Sequence, residues 1–244
     1  NWNGVIGKLE LHADERVYIK NMLVYPDTDN KLAKIKLYVQ NNTENNVSAK
    51  IETAAKSLSE NGETLPAANE IYDIAPGEQV IEYSYSMGEN PLLWSEFHPN
   101  MYELTSKLTF NGISESFKTS FGMRSFGTSG TQFTNNGKYV FLRGEANSAV
   151  FPVNGYPYMT KEEWKEFFAK AQELGINFFR FHTWTPPEAA FEAADEMGIY
   201  MQPELYGFGG SPEFSGYFTD EAYRILKHLA NHPSFVMMAF GNEM

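Results

Sequence analysis

The feature that most constrains this chain is a change of hydrophobic period partway along it. Up to about residue 124, apolar residues alternate with polar ones; beyond that they recur at helical spacing behind capping signals. Ile35, Leu37 and Val39 alternate with Lys34, Lys36 and Tyr38, and Ile81, Tyr83, Tyr85 and Met87 with Glu82, Ser84 and Ser86. Tyr102, Leu104, Leu108 and Phe110 share one face of a further run. Period two over short runs marks half-buried antiparallel strands. Turn chemistry separates them at Pro26-Asp27, Asn41-Asn42, Asn61-Gly62, Pro76-Gly77 and Asn111-Gly112. Roughly seven strands in about 110 residues predict an immunoglobulin-like β-sandwich. Nothing in this half clusters catalytic side chains.

The second half predicts three helices. Thr160-Lys161-Glu162-Glu163 is a capping box, followed at helical spacing by Trp164, Phe167, Phe168, Ala171 and Leu174, with Gly175 as the stop. Thr185-Pro186-Pro187-Glu188 opens a second helix that stops at Gly198. Thr219-Asp220-Glu221 opens a third, carrying Ala222, Ile225, Leu226 and Leu229, and Asn231-His232-Pro233 ends it. Between them lie continuous apolar runs at Val140 to Arg143, Ile176 to Phe181, Ile199 to Met201 and Phe235 to Phe240, the pattern of parallel strands. Four such strands with crossover helices make half of a (β/α)8 barrel. A doubly wound open sheet is the alternative; against it, no Gly-x-Gly-x-x-Gly follows the first strand, and Arg143-Gly144-Glu145 is not a phosphate loop.

Composition narrows the function classes. With 19 Lys and Arg against 31 Asp and Glu, the formal net charge of the 244 residues is -12. Such a surface repels phosphate backbones and anionic lipid, so neither nucleic acid nor membrane is expected as a partner. There is no cysteine, which excludes disulfides, thiolate metal sites and cysteine nucleophiles. Aromatic residues make up 15% of the chain. A β-rich core accounts for most of them, and part of the excess suits a cleft where rings stack on sugar faces. The chain starts Asn1-Trp2-Asn3-Gly4 and stops at Glu243-Met244, directly after an apolar strand. It reads as a piece of a longer protein, with an open strand edge expected to self-associate.

In a barrel, chemistry sits at the carboxyl ends of the strands. There the sequence places Arg143, Glu145 and Asn147 after strand one, Arg180, His182 and Trp184 after strand two, Glu204 after strand three, and Asn242 and Glu243 after strand four. Carboxylates, an amide, an imidazole and guanidiniums around one mouth suit acid–base work on a polar, neutral substrate. Singly, each has a plainer reading: a helix-capping carboxylate, a packing histidine, an arginine neutralising a buried acid, a tryptophan closing the barrel. The constellation is more specific than any member. The segment Tyr206 to Phe218, rich in Gly and aromatics, is expected to form a wall or lid.

These residues resemble glycoside hydrolase family two, the family of β-galactosidases, β-glucuronidases and β-mannosidases. The likeness runs through Asn136-Gly137-Lys138 with Phe141-Leu142-Arg143-Gly144, Gly175-Ile176-Asn177-Phe178-Phe179-Arg180, Ala194-Asp195-Glu196-Met197-Gly198-Ile199, and Asn231-His232-Pro233-Ser234 with Gly241-Asn242-Glu243. In the first half, Leu93-Trp94-Ser95 with Pro99-Asn100-Met101-Tyr102-Glu103-Leu104 is similar to the family's immunoglobulin-like domain. The resemblance implies an exit from an upstream sugar-binding jelly roll over residues 1–14, an immunoglobulin-like sandwich over 15–124, and the first half of a TIM-barrel catalytic domain over 125–244.

It further implies a retaining β-glycosidase of β-galactosidase type. Glu243 would be the acid/base, Asn242 would bond the sugar's 2-hydroxyl, and Arg180 would orient a nucleophile lying beyond Met244. Around them, His182, Trp184, Glu204, Arg143 and Asn147 would line the substrate subsite. The partner implied is a β-linked carbohydrate, with no cofactor and no metal. A periplasmic or extracellular bacterial setting is expected, and the 244 residues alone are expected to be inactive. Two other readings are a non-catalytic carbohydrate-binding relative and a clan-related endoglycanase.

Overall fold

A computed structural model describes residues 9–59, 62–206 and 212–242. The expected jelly-roll exit over its first eight residues, Asn61 of one expected turn, residues 207–211 of the expected wall, and Glu243 lie outside the described residues. The chain divides into two compact units, one formed by Glu10–Leu93 with Asn100–Ser125, the other by Trp94–Pro99 with Phe126–Met244 and the first residues.

The first unit is all antiparallel strand. β1 (Val17–Asp27), β2 (Leu32–Asn41), β3 (Val47–Ser57), β4 (Ala68–Ile74) and β5 (Gly77–Ser86) come first. Two short strands of the other unit follow, β6 (Trp94–Ser95) and β7 (His98–Pro99), before β8 (Tyr102–Phe110) and β9 (Ile113–Phe121) complete the set. One sheet runs β1-β2-β5 and the other β4-β3-β8-β9. The alternation does what it must: Ile35, Leu37 and Val39 of one sheet share a core with Ile51, Leu104 and Leu108 of the other. β8 and β9 pair from Phe110 opposite Ile113, so Asn111 and Gly112 form a two-residue turn, with φ of 51° and 79°. Left-handed dihedrals at both positions are what the strand twist demands, and Asn-Gly supplies them. Within the core, Tyr83 Oη lies 2.7 Å from Thr53 Oγ1 and 3.1 Å from Ser106 Oγ, which satisfies three buried hydroxyls together.

The second unit mixes pairings. β10 (Phe126–Ser129), β11 (Gln132–Asn135) and β12 (Lys138–Val140) form an antiparallel sheet. β13 (Gly144–Asn147), β14 (Phe178–Phe181) and β15 (Tyr200–Pro203) form a parallel one in that order. α1 (Lys161–Glu173) connects the first parallel pair and α2 (Glu188–Met197) the second. After α3 (Pro212–Leu229) the chain returns beside β15, with parallel bridges from Met201 to Phe235 and from Glu204 to Ala239.

The expected fourth parallel strand, Phe235 to Phe240, forms only these isolated bridges, and three further features differ from the sequence reading. The run Val140 to Arg143 is not the first parallel strand. Asn136 and Gly137 adopt φ of 53° and 73°, turning β11 back into β12, so the apolar run ends an antiparallel hairpin and the parallel strand begins at Gly144. The third helix starts at Pro212 rather than Thr219. Proline's fixed φ suits the first helical turn, and the Thr-Asp pair that looked like a cap lies inside the helix. Trp94–Pro99, read as part of the sandwich, groups with the second unit, where Trp94 is fully buried and its Nε1 donates to the Asp195 carbonyl at 2.8 Å.

The helix signals act as their chemistry requires. Thr160 Oγ1 accepts from Glu163 N at 3.3 Å, and the Glu163 carboxylate accepts from Thr160 N at 3.1 Å. Gly198 ends α2 at φ 72°, where a Cβ would stand 2.4 Å from the Glu96 carbonyl oxygen; only glycine fits. The aromatic residues collect around fully buried Trp164, whose ring lies 5.5 to 6.5 Å from Phe151, Tyr158, Phe167, Phe168, Phe181 and Trp184. Leu174, expected on this face, is 80% exposed because the helix has already reached its cap there.

A second buried contact ties the end of α3 to α2. Asp195, 3% exposed, accepts from Ser234 N at 3.0 Å through Oδ1, and its Oδ2 lies 2.6 Å from His232 Nδ1. Burial draws the His232 imidazole pKa down, but the Asp195 carboxylate, by its charge and its hydrogen bond, more than offsets this, and the net shift is upward. The His-Pro-Ser motif therefore fastens the chain that leads into the last parallel segment.

Candidate active site at the carboxyl ends of the parallel strands

β14 alternates in burial. Phe179 and Phe181 are fully buried and pack into the aromatic cluster beneath α1, so Phe178 and Arg180 take the opposite face. Arg180 lies opposite Gln202 of β15, and Glu204 follows two residues later on the same side of that strand. The guanidinium reaches it: Arg180 Nε and Nη2 both donate to Glu204 Oε2, at 2.9 and 2.7 Å. The same Nη2 donates to Asn242 Oδ1 at 3.0 Å. Three segments far apart in sequence thus meet through one arginine.

Glu204 is fully buried, whereas the Arg180 side chain is 36% exposed. The second oxygen of Glu204 is also engaged, since Thr183 N donates to Oε1 at 3.1 Å. Thr183 makes this bond from the left-handed region, at φ 59°. A β-branched residue there is strained, and such strain persists only where the surroundings impose it. Expected to touch substrate, Glu204 instead spends both oxygens on protein donors. Its chemistry is that of a counter-ion to Arg180.

A neighbouring group of bonds orders the rim between β13 and β14. His182 N donates to the Asn147 carbonyl at 2.9 Å and Trp184 Nε1 to the same oxygen at 3.0 Å. Asn147, buried at 8% exposure, caps its own loop by accepting from Ala149 N at 3.0 Å. Trp184 is half-buried and packs edge-on against Phe181, 5.4 Å between ring centroids, so part of its face belongs to the core. His182 Nδ1 lies 3.4 Å from Thr183 Oγ1.

Arg143 is not part of this rim. It precedes β13 rather than following it, and its Nη1 donates to the Phe141 carbonyl at 3.2 Å while its Nε bonds the Gly175 carbonyl beyond α1. These partners lie at the amino ends of β13 and β14. The misplacement follows directly from the displaced first strand. Glu145 falls within β13, opposite Phe179, instead of after it. Glu243 lies outside the described residues; its neighbour Asn242 is the last of the site residues that the structure describes. Thr183 is the residue the sequence reading missed, because its contribution is a backbone N–H and a dihedral, neither of which has a residue signature.

No group of three or more His, Asp or Glu side chains among the described residues is arranged to hold a metal ion. The arrangement offers a fixed guanidinium, an amide and a partly accessible rim, which suits hydrogen bonding to a neutral polyhydroxylated ligand.

Comparison with known proteins gives this fold a class. Residues 17–124 match the family model described as Glycosyl hydrolases family 2. A β-galactosidase of Thermoanaerobacterium thermosulfurigenes is 23% identical over 242 residues, covering 97% of this chain and 33% of that protein. A β-glucuronidase of Formosa agariphila is 24% identical over 220 residues, covering 87% of this chain and 22% of that protein. The crystal structure of Bacteroides uniformis β-glucuronidase superposes with a TM-score of 0.80 at 18% identity, over 94% of this chain and 29% of the other. The chain therefore spans about a third or less of the length of these relatives. Residues 17–124 thus resemble glycosyl hydrolases family 2, and the relatives extend that likeness along most of the chain.

Proposed function

We propose that this chain supplies the acid/base side of a retaining β-glycosidase of the β-galactosidase or β-glucuronidase type, acting on a β-linked carbohydrate. In this reading the first unit is the immunoglobulin-like domain, and the parallel strands begin a (β/α)8 barrel whose carboxyl rim carries the chemistry. The observation that carries it is the bond set of Arg180 with Glu204 and Asn242, which draws the ends of successive parallel segments to one place directly before Glu243.

The roles follow from the bond to be broken. A glycosidic oxygen leaves poorly unless it is protonated as the bond breaks, and Glu243 is the candidate donor. Facing a second carboxylate in a closed site, its pKa would be raised, keeping it protonated near neutral pH. That second carboxylate attacks the anomeric carbon to form a glycosyl-enzyme; water then attacks, with Glu243 as base. Glu204 is unsuited to the nucleophile's role, since it is buried and bonded through both oxygens. The nucleophile is assigned to sequence beyond these 244 residues. Asn242 would bond the 2-hydroxyl, and Trp184 and His182 would border the sugar.

The test is an assay of the 244-residue chain and of the chain continued to the length of its relatives, using nitrophenyl β-galactoside and β-glucuronide. Turnover only in the longer protein is expected. Turnover by the 244 residues above that of their own Glu243→Gln variant would overturn the assignment of the nucleophile. A periplasmic or extracellular setting and self-association along the last parallel segment belong to the same proposal, and light scattering of the 244-residue chain tests the latter.

A further inference from the structure

We infer that Glu204 is a positioning residue: by holding Arg180 from a buried position, it fixes the amide of Asn242 so that its NH2 group alone faces the ligand. The inference rests on the reading of Asn242 as the partner of a sugar hydroxyl. It assigns Glu204 an indirect role in place of contact with substrate or metal.

Arginine has five N–H donors and no acceptor, so an asparagine beside it must turn its oxygen inward. Asn242 Oδ1 sits 3.0 Å from Arg180 Nη2. The amide nitrogen, with two protons, then points away from Arg180. Asn242 can act toward a ligand only as a donor, which fits the lone pairs of a hydroxyl oxygen. With the arginine absent or turned aside, the amide could rotate by a half turn and present either end.

What holds the arginine is Glu204. Its Oε2 takes both Nε and Nη2, a two-point contact that sets the guanidinium plane as well as its position. Its Oε1 is anchored by Thr183 N, in a backbone conformation that a β-branched residue adopts only under constraint. Its main chain is fixed as well, since Glu204 N donates to the Trp184 carbonyl at 3.3 Å and Glu204 pairs in parallel with Ala239. The carboxylate is thus held on three sides, fully buried, while Arg180 and Asn242 remain partly accessible. Rigidity passes from the buried acid to the partly accessible amide through one planar group.

The test needs no turnover. In the 15N-labelled protein, the side-chain amide signals of Asn242 are followed in the parent, in Glu204→Gln and in Arg180→Lys. Arg180→Lys keeps the charge opposite Glu204 but loses the fork, so it carries the test if Glu204→Gln does not fold. Both variants should move the Asn242 amide signals and narrow their separation as the group gains rotation. The affinities of phenyl β-galactoside and its 2-deoxy analogue are then compared. The parent should prefer the hydroxylated sugar by about 3- to 10-fold, the worth of one net hydrogen bond. Glu204→Gln should bring that ratio close to one, as should Asn242→Ala, and the double variant should lower it no further. Asn242 signals unmoved in both variants would overturn the positioning role. Signals that move in the variants, with no preference of the parent for the 2-hydroxyl, would leave the Glu204 to Asn242 link standing and reject the sugar-site reading instead.

Discussion

Two buried carboxylates in the second unit are held in similar ways and do different work. Asp195 and Glu204 are 3% and 0% exposed, and each takes a backbone N–H on one oxygen and a cationic or ring N–H on the other. Asp195 bonds His232 and Ser234 N, and those bonds stop within the fold. Glu204 bonds Arg180, and the chain of contacts continues to Asn242 at the rim. The first pair fastens the segment after α3 to α2; the second prepares a surface. The difference lies in the partner: imidazole titrates near neutrality and offers a single point of contact, whereas guanidinium stays charged and can serve two acceptors. A buried acid fastens structure when its partner is itself enclosed, and shapes a site when its partner reaches solvent.

The strongest test of that contrast is Asp195→Ala. It removes the acceptor of both His232 and Ser234 N inside the core, and breaking such a buried pair costs about 3–5 kcal/mol. The urea midpoint of the second unit should fall accordingly, while Glu204→Gln, which keeps an oxygen for Thr183 N or Arg180, should cost less. Equal losses would erase the distinction between fastening and positioning.

Gly198→Ala probes the same junction from the backbone. Its φ of 72° and the Glu96 carbonyl 2.4 Å from the added methyl make both strain and overpacking unavoidable. A loss of about 2–4 kcal/mol is expected from the two effects together, read from thermal unfolding.

The titrating partner gives the Asp195 contact a pH dependence. Folding raises the His232 pKa above its unfolded value of about 6.5. Its contribution is therefore fully present below that value and is lost as pH rises through the folded-state pKa. Glu188 and Glu192 add to the upward shift. Denaturation midpoints measured from pH 6 upward should fall in the parent, and this component should vanish in His232→Gln. A parent curve with the same slope as the variant would show that the pair does not contribute as described.

The smallest expected effect is at Thr160. Thr160→Ala removes one side of the capping box and should cost about 1 kcal/mol in the unfolding free energy. The Glu163 pKa, held low chiefly by the Thr160 side chain, should rise toward its ordinary value in the same variant, which titration by NMR would detect.

Local chemistry was legible in the sequence; long-range placement was not. The capping box at Thr160, the glycine stop at 198 and the turn at Asn111-Gly112 each depend on residues within a few positions of one another, and each forms as read. The alternating burial of β2 and β5 is legible for the same reason. The start of the parallel sheet was misread because Val140–Leu142 is equally apolar in a hairpin or a buried strand, and the Asn-Gly turn at 136–137 decided between them. Arg143 went to the wrong rim in consequence. At the site, residue type and position pick out Arg180 and Asn242 as candidates, but their bond spans 62 residues and has no local signature. The engagement of Glu204 by Thr183 N depends on a strained dihedral that residue type argues against.

The rim beginning at Arg180 is proposed to serve an acid/base carboxylate at Glu243. The most direct measurement is a leaving-group series of aryl β-glycosides, followed in the glycosylation step, in the chain continued to full length with and without Glu243→Gln. A loss of about 10²–10⁴-fold is expected for poor leaving groups and a much smaller loss for activated ones, which need little protonation. An equal loss across the series would contradict it.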